Sequence, residues 1–224
     1  MTPKLLRKLL RRSDAGPGKP PPFVRALADA LPTNGLTVSL MPPEAPEHAL
    51  GRLPGAQARG LLQISDGPPD LINCTSVDVG QGHLSQGEST GFHWLMRASR
   101  LSSTWSSARV DAHREFSASD IGSARHFRWA PLDSAATSRA AAVLLQERGN
   151  ARAANAESLN DRILRLLQQP ELLSLQLEPE TDAWYRCSLY LGYERALEGG
   201  EIATLRDLCR LLVTRNSVSA TTDP

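Results

Sequence analysis

Residues 181–197 read TDAWYRCSLYLGYERAL, and the fold turns on whether this stretch is a helix or a strand. At helical spacing Trp184, Cys187 and Leu191 fall on one stripe, which Tyr190 and Leu197 widen into a broad apolar face. Gly199-Gly200 then supplies a turn into Glu201–Val213, where Ile202, Leu205, Leu208, Cys209 and Leu212 form a clean 3.6-residue stripe. Read this way, the two segments fold back as an αα-hairpin that buries its leucines, and Cys187 and Cys209 become small core residues.

Before this stretch, 151–168 carries Leu159, Ile163, Leu166 and Leu167 on one stripe ahead of Pro170. Asp133 or Ser134 can cap a further run that Gly149 stops. Residues 132–215 therefore read as a helical region and 216–224 as a fraying tail. Residues 23–131 read as mixed α/β. A short helix from Phe23 to Leu31 and a strand from Leu36 to Met41 precede a loop over 42–60, and Leu61–Ser65 and Leu71–Val79 form two strands joined by Asp66-Gly67-Pro68-Pro69. The glycine-rich stretch 80–91 reads as an exposed loop, Phe92–Leu101 as a helix, and Arg125–Trp129 as a half-buried edge strand. The expected class is α+β: a small mixed or antiparallel sheet in the N-terminal half and a C-terminal helical bundle, preceded by a tethered amphipathic helix.

The chain has 224 residues, which fits one domain, or one domain plus a small helical appendage, and carries 25 basic and 24 acidic side chains, net +1. That balance argues against a protein that coats nucleic acid over its whole surface, so nucleic acid is an unexpected partner and any anion site is local. No apolar run is long enough for a membrane-spanning helix. Cys74, Cys187 and Cys209 are odd in number and lack metal-ligand spacing, so neither a disulfide framework nor a zinc site is expected, no cofactor is called for, and a reducing cytoplasm is the expected compartment.

Gly87-Glu88-Ser89-Thr90-Gly91 fits G-x-S-x-G and resembles the nucleophile elbow of the α/β-hydrolases. That resemblance implies Ser89 as nucleophile, with His113 or His126 as base and Asp111 or Asp120 as its carboxylate partner. The residues before Ser89 lack the apolar run that such an elbow's strand needs. Val77-Asp78-Val79-Gly80-Gln81-Gly82 resembles the first-strand signature of metallo-β-lactamase-type domains, but the H-x-H-x-D-H metal cluster those domains use is absent from the sequence.

Between Gly91 and Pro131 the chain concentrates Phe92, Trp94, Trp105, Phe116, Phe127 and Trp129 among six arginines. Such a segment either builds a dense aromatic core with arginine stems packed over it, or forms a stacking surface for an anionic ligand or a nucleic acid.

At the start of the chain Leu5, Leu6, Leu9 and Leu10 share one helical face, while Arg7, Lys8, Arg11 and Arg12 share the other with Lys4. Residues 1–12 thus read as a basic amphipathic helix, tethered by the Pro/Gly linker 13–22. The expected function is a non-enzymatic adaptor or accessory component of a larger bacterial-type assembly. It would dock through these leucines and cations to a protein partner, or peripherally to an anionic membrane surface.

Overall fold

A computed structural model describes residues 19–78, 88–101, 105, 108–116, 124–131, 157–169 and 171–213. The chain order is α1 (Pro22–Ala30), β1 (Val38–Leu40), β2 (Gln57–Ile64), β3 (Leu71–Asp78), β4 (Glu88–Arg97), β5 (Val110–Phe116), β6 (Ala124–Pro131), α2 (Leu159–Leu167), β7 (Leu172–Thr181), β8 (Trp184–Leu191) and α3 (Gly199–Val213). The strands form one eight-stranded sheet in the order β1-β2-β3-β4-β8-β7-β5-β6, antiparallel at every pairing.

This corrects the expected α+β arrangement of a small sheet followed by a helical bundle. Residues 172–191 are the β7–β8 hairpin, and it is inserted between β4 and β5, so the C-terminal third completes the sheet and contributes one long helix after it. The period-3.6 stripe in 181–197 is overridden by alternation. Tyr185, Cys187, Leu189 and Leu191 join the main core, while Trp184 belongs to a second cluster on the opposite face. Because β8 has a strand on each side and is covered on both faces, nearly every position is apolar or buried, and neither period stands out. The same holds for 92–101. The expected helix is instead the body of β4, with Phe92, Trp94 and Met96 facing the main core and Leu95 facing the second cluster. The stretch 88–91, expected in a loop, opens this strand.

Among the described residues, three helices cover one face of the sheet. α1 packs beside β1 and β2, α3 lies over the centre, and α2 sits toward β7 and β6. α3 keeps the predicted stripe, with Ile202, Leu205, Leu208, Cys209 and Leu212 all buried. Its start is fixed by Glu201, whose carboxylate accepts the Glu198 amide at 2.7 Å and both Arg195 Nη groups at 2.7 and 2.5 Å. α2 begins at Ser158, whose Oγ accepts the Asp161 amide at 3.1 Å. Cys74, Cys187 and Cys209 are all buried free thiols. Residues 124–131 form the terminal strand of the sheet, where an edge strand was expected.

The opposite face is crossed by a strap, residues 41–56, between β1 and β2. Met41, Ala45 and Leu50 of the strap pack on Leu61, Leu71, Leu95 and Trp184. No helix of the described residues is long and apolar enough to cross a membrane. The amphipathic segment 1–12, the spacer up to residue 18, Asp120, the run expected at 133–148 and the tail 216–224 lie outside the described residues.

One close approach fixes α1. A Cβ on Gly60 of β2 would fall 2.7 Å from Val24 Cγ1, inside a wall of buried Phe23, Val24 and Leu27. Gly60→Ala is therefore expected to cost about 1–3 kcal/mol by overpacking. Adding Val24→Ala should recover part of that loss in urea denaturation; costs that simply add would show that the two groups do not press on each other.

Candidate functional site

The strap-side face carries a polar row across the centre of the sheet. The antiparallel registers set Asn73 of β3 opposite His93 of β4, His93 opposite Ser188 of β8, and Ser188 opposite Gln176 of β7. Asn73, His93 and Ser188 are fully buried. The next row, toward the C-terminal end of β3, holds Thr75, Gly91 and Tyr190.

His93 is the hub. Its Nδ1 lies 2.9 Å from Ser188 Oγ and its Nε2 lies 2.9 Å from Thr75 Oγ1. Tyr190 meets the ring edge-on, with centroids 5.5 Å apart. A neutral imidazole has one donor and one acceptor nitrogen, so one hydroxyl accepts from the ring and the other donates to it. Burial, and after it the field of Arg186, lowers the His93 pKa from 6.5 to about 3. Two glycines make room for the ring. A Cβ on Gly91 would lie 2.8 Å from His93 Nε2, and one on Gly51 would lie 2.6 Å from His93 Cγ; Gly51 also has φ 76°, where a side chain is strained.

The strap is fastened to this row by side chains. Asn73 Nδ2 donates to the Leu50 carbonyl at 2.6 Å and to the His48 carbonyl at 3.1 Å. The Gly51 amide donates to Glu180 Oε1 at 2.8 Å. Glu180 also pairs with Arg186 at 2.9 Å, and Arg186 pairs with Glu178 at 2.5 Å. Burial works against the Arg186 charge, but its bond to Glu178 and the fields of both carboxylates outweigh it, and its pKa lies above the ordinary guanidinium value.

Chemically, a serine hydroxyl on an imidazole nitrogen is the contact used in nucleophilic catalysis. Here the hydroxyl is buried, the imidazole's proton affinity is lowered, and both ring nitrogens are engaged. The arrangement ties β3, β4 and β8 together and seats the strap.

The residues of the serine-hydrolase pattern are spread over the sheet. Ser89 is the second residue of β4, opposite Val77 of β3, inside a strand and not at a strand-to-helix turn. Asp111 lies in β5 opposite Gln176, His113 in β5 opposite Arg128, and His126 in β6 opposite Glu115. β5 is three strand positions from β4, about 14 Å at the usual inter-strand spacing. The sheet does not bring these residues together with Ser89. In the Arg/aromatic segment, Phe92, Trp94 and Trp105 are fully buried. Arg97 stacks on Trp184 at 4.7 Å, and Arg100 pairs with Asp70 at 2.5 Å. Among the described residues no cluster of His, Cys, Asp and Glu could hold a metal.

Sequence reasoning passed over Thr75, His93 and Ser188. The signal present in the sequence was the period-two placement of Asn73 and Thr75 in one strand and of Gly91 and His93 in the next. It becomes readable only when the register is known. Comparison with protein-family models, with curated proteins and with solved structures finds no match.

Proposed function

We propose that this chain is a non-enzymatic adaptor or accessory component of a larger assembly, docking through its N-terminal leucines and cations to a protein partner or an anionic membrane surface. The observation that supports a non-catalytic body is the use made of its reactive side chains. His93, whose ring lies 2.9 Å from a serine hydroxyl, is locked between two buried hydroxyls, and the three thiols are buried. Burial raises the Cys74 and Cys209 pKa values, which disfavours the nucleophilic thiolate. Support for the docking segment is the segregation of Leu5, Leu6, Leu9 and Leu10 from Arg7, Lys8, Arg11 and Arg12.

The test replaces those four leucines by serine in the full chain and keeps every charge. Native-lysate pull-down and co-sedimentation with phosphatidylglycerol vesicles should each be run beside the parent. The variant is expected to lose whichever association the parent shows, with unchanged circular dichroism. Retained association would remove the docking role of these leucines. A serine-reactive fluorophosphonate that labels the native protein, with labelling abolished by Ser89→Ala or Ser188→Ala, would overturn the non-enzymatic reading.

A further inference from the structure

Between His48 and Gly51 the strap is fastened by side chains of β3 and β7 and by the His93 ring, against which Gly51 rests with no space for even a methyl group. The charged and titratable groups around that ring are Arg186 and Tyr190 on β8, with Glu178 and Glu180 on β7 reached through Arg186; on the strap, His48 offers its backbone carbonyl to Asn73 while its ring Nε2 lies 3.1 Å from the Pro42 carbonyl. From β3 the facing side chains are the uncharged Asn73 and Thr75.

In the closed arrangement burial and the nearby Arg186 charge favour the neutral imidazole. A second ring proton would require both Thr75 and Ser188 to accept, and would place a buried cation close to the Arg186 guanidinium. Glu178 and Glu180 neutralise Arg186, and Glu180 is the acceptor for the Gly51 amide. The sheet's own ladder uses neither nitrogen of the ring. Relief is therefore available by water reaching the ring from the strap side, while β3, β4 and β8 stay paired.

We propose that His93 is a buried latch: proton uptake by its ring releases the His48–Gly51 part of the strap, while the sheet and its helical face stay folded. Release uncovers Asn73, Thr75, His93 and Ser188 together, so the device controls access to the polar row. It is independent of the N-terminal docking reading, and its test leaves that segment intact.

Hydrogen exchange followed by mass spectrometry, on the full chain from pH 7 to pH 4 and corrected for intrinsic exchange, reads the latch directly. Peptides covering 45–56 are expected to lose protection by up to about tenfold per pH unit below pH 6.5, the linkage expected for one proton. Peptides from β4, β8 and α3 should keep theirs. In His93→Gln, whose amide can both donate and accept but takes up no proton, the protection of 45–56 should be independent of pH over this range. Loss of protection in the strap and β4 together, or an undiminished acid response in His93→Gln, would overturn the proposal. Should His93→Gln not fold, Glu180→Gln decides: the acid response persists if the imidazole is the trigger, and disappears if the carboxylate is.

Discussion

Acid is expected to weaken the closed protein by on the order of 5 kcal/mol between pH 6.5 and pH 3 through the single imidazole of His93. Burial first, and Arg186 second, hold that group at about 3 instead of 6.5. Above pH 6.5 the ring is neutral whether the chain is folded or unfolded, so its full contribution to stability is present. As pH falls below 6.5 the unfolded chain takes up the proton and the closed form does not, and stability is lost until the folded value is reached. The ring is fully buried, so solvent does not screen the effect. Urea denaturation of the parent and of His93→Gln at successive pH values should give stabilities whose difference changes by about 1.4 kcal/mol per pH unit. Carboxylates elsewhere cancel in that comparison. Where the strap releases before the sheet, the slope flattens at that pH and the loss passes to exchange in 45–56. Parallel profiles for the two proteins would show that the ring carries no such linkage.

Trp94→Ala is expected to cost about 3–5 kcal/mol, the usual range for removing a large buried aromatic side chain. Trp94 is fully buried at the centre of β4, opposite Ile72 of β3 and Cys187 of β8. Its Nε1–H has no hydrogen-bond partner among the described residues. An unpaired buried donor offsets part of what the ring's burial contributes. Trp94→Phe keeps most of the apolar surface and deletes that donor, so it should lie within about 1.5 kcal/mol of the parent in the same assay. A phenylalanine variant as unstable as the alanine one would mean that the indole's volume, and not its burial as such, is what the site requires.

Elements with one buried face were legible. α3 shows a helical stripe because its other side meets water, and α1 and α2 were found for the same reason. β2 and β3 were located to within a few residues from the apolar runs on either side of the Asp66–Pro69 turn. β4 and β8 were not, because a strand buried on both faces loses the alternation that announces it. Trp184, Cys187 and Leu191 happen to match a helical period as well. The candidate site was illegible for a different reason. Thr75, His93 and Ser188 come from three strands, and in the sequence each is an ordinary polar residue in an apolar run.

By itself the sequence determined the near-neutral charge, the absence of a long apolar run, the buried role of Cys187 and Cys209, and the segregated leucines and cations of residues 1–12. Only the tertiary structure decided that 172–191 is a hairpin inserted between β4 and β5, and that His93 meets two hydroxyls beneath a strap. Local periodicity reports which side of an element meets water. Strand order and register are fixed by contacts between residues up to a hundred positions apart, and no local window contains both partners of such a contact.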